Sequence, residues 1–93
     1  MININILAQA SPKYNIIYMA IFGSFARGDF SSQSDIDILV KFEKRKSLLE
    51  IVRIQRELSE LIGNPVDLLT EKSISPYIME KIKHELKVIY DKR

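Results

Sequence analysis

The first strong pattern along the chain is an unbroken apolar run at residues 16–22, which ends abruptly at a Gly-Ser pair. A short apolar segment bounded by small turn residues is typical of a buried strand. Further on, polar and apolar residues alternate through residues 35–40, which read Asp-Ile-Asp-Ile-Leu-Val. Side chains of a strand alternate between its two faces, so Ile36, Ile38 and Val40 are expected to point into the core. The pattern therefore predicts two strands.

A helix is predicted to follow, beginning at a capping box of Ser47 and Glu50. Its apolar residues recur at helical spacing and define the face that is expected to be buried: Leu48, Ile51, Val52, Leu58, Leu61 and Ile62. The Gly-Asn-Pro sequence at residues 63–65 ends it, because glycine can adopt the left-handed cap and proline cannot continue a helix. Residues 66–69 are then predicted to form a strand.

Both ends of the chain are predicted to be helical. Residues 2–9 are expected to form a short helix that the Ser-Pro pair at residues 11–12 closes. Near the other end, Ser75 is a candidate N-cap, with a proline in the first turn after it. The expected buried stripe of this last helix consists of Ile78, Ile82, Leu86, Ile89 and Tyr90. Tyr77 and Tyr90 are interpreted as its anchors to the core.

These elements predict an α+β fold, in which a mixed sheet of the α/β type is flanked by helices. The chain has 93 residues and a mass of 10.8 kDa. We therefore expect one small domain over residues 1–93, with no room for a separate substrate-binding domain. An acceptor substrate would then have to be held largely by another molecule.

Composition narrows the class of protein further. The net charge of +2 is too small to indicate nucleic-acid binding, and the mixed-sign cluster at residues 41–46 is interpreted as a solvated strand-to-helix junction. Because the chain has no cysteine, disulfides and thiolate metal sites are excluded. The longest apolar run is too short to cross a bilayer, and the first residues do not resemble a secretory signal. We expect no membrane span and a cytoplasmic location.

Two aspartates on one strand are the first sign of chemistry. Asp35 and Asp37 lie two residues apart, so both carboxylates should project from the same face. Two neighbouring anions repel one another unless a cation lies between them, and carboxylate oxygens are preferred ligands of hard divalent ions such as magnesium. The alternative is that the Asp-Ile-Asp triplet is only the solvated face of a half-buried strand. The residues just upstream favour the metal-binding interpretation.

Gly23 and Ser24 follow the first strand directly. Glycine lets the backbone approach a ligand closely, and the serine hydroxyl with the amides that follow can bind phosphate oxygens if a short helix begins there. Arg27 lies between this turn and the aspartates, where it could pair with triphosphate oxygens or only with Asp29. Phosphate groups next to metal-binding carboxylates indicate nucleotide chemistry.

The residues around the Gly-Ser turn and the two aspartates form a recognisable motif. Gly-Ser-Phe-Ala-Arg-Gly at residues 23–28, with Ser-Asp-Ile-Asp-Ile-Leu-Val at residues 34–40, resembles the signature of the polymerase-β-like nucleotidyltransferase superfamily, most closely its minimal members. The resemblance implies the minimal nucleotidyltransferase palm fold. The family pattern also has a third acid on the next strand, which Asp67 supplies here. The implied catalytic residues and ligands of two Mg²⁺ ions are Asp35, Asp37 and Asp67, and the implied nucleotide-binding residues are Gly23, Ser24 and Arg27.

The resemblance also implies a reaction and a partner. The donor would be ATP, and AMP would be transferred to a hydroxyl, expected to be that of a tyrosine, on a HEPN-type toxin. This chain would be the antitoxin of the pair, in a hetero-oligomer with the toxin, and no direct contact with nucleic acid is expected. In-line attack at the α-phosphorus is the expected mechanism, with Asp67 placed to take the proton of the acceptor hydroxyl.

Two other functions stay open at this point. The chain could neutralise its partner by binding alone, with a nucleotide site that no longer acts. A transferase acting on a small molecule or an RNA end is the third hypothesis, and it would need an acceptor groove for which so short a chain leaves little room.

Among other polar residues, His84 is interpreted as a surface residue of the last helix, and loop formation is expected of three serines: Ser31, Ser32 and Ser34.

Overall fold

The computed structural model of the protein describes residues 3–29 and 35–93. Its helices and strands are α1 Asn5–Ala10, β1 Ile16–Phe22, α2 Ser24–Arg27, β2 Ile36–Phe42, α3 Leu48–Ile62, β3 Val66–Leu69, α4 Pro76–Ile82 and β4 Lys87–Asp91. The strands predicted at residues 16–22 and 66–69 have these bounds, and the prediction of both is confirmed. The loop predicted for Ser31, Ser32 and Ser34 lies outside the described residues.

The strands form one mixed sheet in the order β3-β2-β1-β4. β1 pairs antiparallel with β2 and with β4, whereas β2 and β3 run parallel. Helix α3 makes the crossover between the two parallel strands, as parallel neighbours require. The carboxyl end of β1 and the amino ends of β2 and β3 therefore lie next to one another at the same end of the sheet.

Each face of the sheet carries its own apolar cluster. Ile36, Ile38 and Val40 lie in the larger cluster, which α1 and α3 cover, so their predicted inward orientation is confirmed. The smaller cluster on the opposite face includes Leu39 and is covered by Ile82 of α4. Since alternate residues of β2 point to opposite faces, the even-numbered residues from 36 to 40 fill the larger core and residue 37 faces the other side.

Helix α3 begins and ends as predicted, although part of its buried face was predicted wrongly. Ser47 and Glu50 form both hydrogen bonds of the capping box, and Gly63 ends the helix at φ 78°. The fully buried residues are Ile54 and Leu58. The predicted face omitted Ile54, and three of its members are half-exposed or more: Leu48 at 75%, Val52 at 51% and Leu61 at 50%. These residues flank the narrow stripe that touches the sheet.

The last predicted helix is wrong beyond its second turn. Helix α4 ends at Ile82, and residues 87–91 form β4 on the free edge of β1. The Val-Ile-Tyr sequence in this segment favours a strand, and its backbone groups find partners on β1 that a helix would not use. Tyr90 packs against the larger core from this strand, whereas Tyr77 is 85% exposed and anchors nothing. His84 is exposed, as expected, but it lies in a turn.

The amino-terminal helix continues past its predicted end. After α1, Ser11–Tyr14 forms a 3-10 helix, so the Ser-Pro pair does not stop the helical turns. The buried Ser11 hydroxyl donates to the Leu7 carbonyl at 3.1 Å, which satisfies this polar group inside the core. In the part of the chain that the structure describes, no helix is long and apolar enough to cross a membrane.

Replacing one buried leucine of α3 tests this packing. Leu58→Ala should lower the free energy of unfolding by about 2–5 kcal/mol, because Leu58 is fully buried and its loss leaves a cavity. Leu61→Ala on the same helix is the matched control and should cost about 1 kcal/mol or less, since half of that side chain is already in water. Urea denaturation followed by circular dichroism measures both. Equal losses would mean that the buried face of α3 is assigned incorrectly.

Candidate active site

The three predicted acids come from adjacent strands at one end of the sheet. Asp37 of β2 and Asp67 of β3 are register partners across the parallel pair, and Asp35 stands immediately before β2. Asp37 and Asp67 are half-buried, whereas Asp35 is exposed. The structure therefore places Asp67, which α3 separates from Asp35 and Asp37 in the sequence, opposite Asp37.

The charges of these acids act on one another. The pKa of Asp37 is raised, first by partial burial and then by the negative charges of Asp67 and Asp35. Glu85 adds to this effect, whereas the positive charge of Arg27 opposes it. The ionised form of Asp37 is thus less favoured than that of a solvated aspartate, and a cation at this end of the sheet would stabilise it.

Gly23 is required by its contact with Asp37. β1 ends at Phe22, which is the register partner of Asp37, so the next residue lies beside that aspartate. A Cβ atom at Gly23 would collide with Oδ2 of Asp37. Gly23 also has φ 78° and ψ −155°, a backbone region that is essentially reserved for glycine. Both facts explain why the chain has no side chain at this turn.

The expected short helix is present after the turn. Ser24 is its first residue and is half-buried, and Gly28 ends it at φ 83°. Arg27 projects from its last turn, where its Nε lies 3.5 Å from Asp29 Oδ2 and its Nη1 lies 3.3 Å from Glu85 Oε2. The sequence left two partners open for Arg27, and the structure has the contact with Asp29 together with a second carboxylate.

That second carboxylate, Glu85, was missed by the sequence analysis. It lies in the turn between α4 and β4, and its Oε1 accepts a hydrogen bond of 2.9 Å from the Gly23 amide. The amide of Gly23, an implied nucleotide-binding residue, therefore already has a hydrogen-bond partner. Recognising β4 would have revealed Glu85, because the pairing of Ile21 with Lys87 brings the turn before β4 next to the end of β1.

The donor set suits a hard divalent cation in chemical type, since the three acids offer only carboxylate oxygens. Within residues 3–29 and 35–93, however, no three acidic, histidine or cysteine side chains are gathered closely enough to hold an ion as they stand. Shared binding of an ion by Asp35, Asp37 and Asp67 would require rotation of their side chains. Rotation about the side-chain bonds of aspartate is within reach of thermal motion at exposed or half-buried positions.

A cavity of about 660 Å³ opens beside two of the acids. Asp35 and Asp67 line one side, and the second half of α3 with the turn after it lines the other, where Arg56 and Asn64 contribute polar groups. The length of the chain had suggested that an acceptor groove would be lacking. The structure instead has open space directly beside Asp67.

The sequence is similar to those of a known enzyme family. The sequence profile described as "Polymerase beta, Nucleotidyltransferase" matches residues 4–93. The chain belongs to this family of nucleotide-transferring enzymes. A relative from Methanocaldococcus jannaschii, provisionally named a protein adenylyltransferase, is 47% identical over 73 residues, covering 78% of each chain. The protein adenylyltransferase MntA of Thermococcus cleftensis is 34% identical over 78 residues, covering 84% of this chain and 79% of MntA.

Solved structures share the fold. A chain of a toxin-antitoxin crystal structure with AMP-PNP matches at a TM-score of 0.84 and 21% identity, covering 96% of this chain and 73% of that chain. A chain from the complex of the tri-AMPylated Shewanella oneidensis HEPN toxin with its MNT antitoxin matches at a TM-score of 0.71 and 17% identity, covering 91% of this chain and 66% of that chain. A structure described as a minimal nucleotidyltransferase matches at a TM-score of 0.73 and 32% identity, covering 85% of this chain and 81% of that chain. The predicted α+β fold of the minimal nucleotidyltransferases is therefore confirmed.

Alanine at Gly23 tests the close contact with Asp37. Gly23→Ala should cost about 1–3 kcal/mol for its backbone region and about 0.5–1.5 kcal/mol more for turning the Asp37 carboxylate aside. Gly28→Ala is the control, because Gly28 also has a positive φ but an added Cβ would meet no atom within 4 Å. It should cost about 1–2 kcal/mol. Free energies of unfolding in urea measure both, and equal costs would contradict the contact.

Proposed function

We propose that this chain transfers AMP from ATP to a hydroxyl, that of a tyrosine, on a HEPN-type toxin, and thereby acts as an antitoxin. The observation that carries the proposal is the register pairing of Asp37 with Asp67 beside the Gly23 turn, in a chain of the nucleotidyltransferase family. The pairing supplies carboxylates for a metal, and the turn supplies a close backbone approach for phosphates.

Related proteins support the donor and the partner. Two relatives carry the name protein adenylyltransferase, one related complex contains AMP-PNP, and another contains a HEPN toxin that carries three AMP groups. We infer from these that ATP is the donor and that the chain works in a hetero-oligomer with its toxin. One domain over residues 1–93 and a cytoplasmic place of action belong to the same proposal.

The site residues would divide the work between metal and phosphate binding. Asp35, Asp37 and Asp67 would hold two Mg²⁺ ions through their carboxylate oxygens. Bound magnesium would supply positive charge against the phosphates and lower the pKa of the acceptor hydroxyl. Ser24 and Arg27 would bind the phosphate oxygens, Arg27 through guanidinium hydrogen bonds and Ser24 through its hydroxyl. Gly23 would leave room for this approach rather than donate its amide.

Under this proposal, Asp67 acts on the acceptor. The oxygen of the acceptor forms a bond to the α-phosphorus while the bond from that phosphorus to pyrophosphate breaks, and the acceptor proton passes to the Asp67 carboxylate. Asp67 borders the cavity beside α3, which leaves space for an incoming side chain. The same space would admit a small acceptor, so the identity of the labelled product separates these substrates.

Neutralisation by binding alone is the alternative. A chain that only bound its toxin would have no need of three neighbouring carboxylates, and the pKa of Asp37 is raised first by burial and then by the negative charges of Asp67 and Asp35. The proximity of these acids favours activity over binding alone.

Transfer of label from ATP tests the reaction. With α-labelled ATP, magnesium and the co-purified toxin, the double variant Asp35→Asn, Asp37→Asn should label the toxin at least about a hundredfold more slowly, since lost metal ligands remove several kcal/mol of transition-state stabilisation. Asp91→Asn, which neutralises an exposed carboxylate bonded to Arg93, is the control and should label at the wild-type rate. Equal labelling by the wild type and the double variant would rule the mechanism out.

ATP binding separates the enzyme from the plain antitoxin. Wild-type chain should bind ATP in the presence of magnesium and lose at least about tenfold in affinity when EDTA removes the metal, because Asp35, Asp37 and Asp67 would hold the metal, which would supply positive charge against the phosphates. The Asp35→Asn, Asp37→Asn variant should lose this binding while still forming the toxin complex. Isothermal titration measures the first and size-exclusion chromatography the second. No ATP binding by the wild type, with the complex intact, would favour neutralisation by binding alone.

A further inference from the structure

Glu85 binds two groups of the proposed phosphate site at once. Its Oε1 accepts a hydrogen bond of 2.9 Å from the Gly23 amide. Arg27 Nη1 lies 3.4 Å from the same Oε1 and 3.3 Å from Oε2. One carboxylate therefore links the start of the Gly-Ser turn to the end of the short helix that follows it. The side chain of Glu85 is 25% exposed and that of Arg27 is 51% exposed, so the carboxylate is partly shielded from solvent while the guanidinium stays open to it.

The fold fixes the position of Glu85. Its own amide donates to the Ile82 carbonyl at 2.9 Å, and Ile82 is buried in the smaller core. On the other side, the pairing of Lys87 with Ile21 ties the chain to β1. The backbone on both sides of Glu85 is therefore anchored to the core and to the sheet, and this brings its carboxylate next to the Gly23 turn.

We propose that Glu85 is a positioning residue for nucleotide binding, which holds the Gly23 turn and orients the Arg27 guanidinium toward the phosphates. The inference rests on the proposed function. Arginine loses much rotamer freedom when it is held in one geometry, and a site in which that geometry is already fixed binds its ligand more tightly. Glu85 lies 3.3 Å from Nη1 of Arg27 and Asp29 lies 3.5 Å from its Nε, so two carboxylates contact different nitrogens of one guanidinium and together favour one orientation of it.

Charge alone predicts the opposite effect. Glu85 adds a negative charge near Asp37, so its neutralisation should strengthen the binding of an anionic triphosphate if it has no positioning role. If Glu85 orients Arg27, its neutralisation should instead weaken binding. The direction of the change therefore distinguishes the two roles.

The test measures the dissociation constant of Mg-ATP with the full chain. Glu85→Gln keeps the size of the side chain and an acceptor for the Gly23 amide but loses the ionic hold on Arg27. We expect the dissociation constant to rise roughly tenfold, the lower end of what lost supporting contacts cost at binding sites. Glu80→Gln is the control, because it removes the same charge from an exposed residue of α4 that pairs only with Lys83 among the described contacts. It should leave binding unchanged.

A double-mutant cycle with Arg27 distinguishes a positioning role of Glu85 from a general effect on the fold. In an Arg27→Ala background, Glu85→Gln should no longer weaken ATP binding, since the group that it positions is gone and only the loss of its negative charge remains. The same tenfold loss in that background would overturn the inference, as would unchanged or tighter binding by Glu85→Gln alone. Melting temperatures check folding. If Glu85→Gln folds poorly, Glu85→Asp replaces it, and its shorter carboxylate should weaken binding in the same way.

The outcomes also separate this inference from the proposed function. If the wild-type chain binds ATP with magnesium and the Asp35, Asp37 double variant does not, while Glu85→Gln binds as tightly as the wild type, the inference alone fails. If the wild-type chain binds no ATP, the proposed function fails and the role of Glu85 fails with it.

Discussion

The parallel pairing of β2 with β3 sets Asp37 directly opposite Asp67, and the remaining features of the site depend on this contact. The pairing needs α3 to cross over the sheet, and α3 needs its buried stripe, centred on Ile54 and Leu58, to pack there. Two like charges are thereby held in place by apolar burial on the opposite face. Burial of the apolar core thus offsets the electrostatic repulsion between the two carboxylates.

Local sequence signals were sufficient wherever a segment decides its own structure. The apolar run of β1, the alternation in β2 and the caps at Ser47 and Gly63 each specify an element from neighbouring residues alone. The acids of the candidate site were predictable for the same reason, because their strands were recognisable. Their catalytic and metal-binding roles stay predictions, since geometry alone does not test them.

Long-range pairing decided the parts that were predicted wrongly. Residues 87–91 carry apolar residues whose spacing also fits a helix, and only the open edge of β1 makes them a strand. The error hid Glu85, which a helix would have placed on a solvated face and which the strand places at the Gly23 turn. The buried face of α3 was overestimated in the same way, because periodicity gives the direction of an apolar face but not the width that its neighbours cover.

The elevated pKa of Asp37 has a thermodynamic meaning beyond the site itself. In the unfolded chain Asp37 is solvated and far from Asp67, so the cost of burying it and of placing the two carboxylates side by side falls on the native state alone. At neutral pH the ionised Asp37 therefore lowers the stability of the folded chain. A neutral residue at position 37 should stabilise the fold, and under the proposed function it would also remove a metal ligand, a trade-off that is common where selection has acted on chemistry rather than on stability.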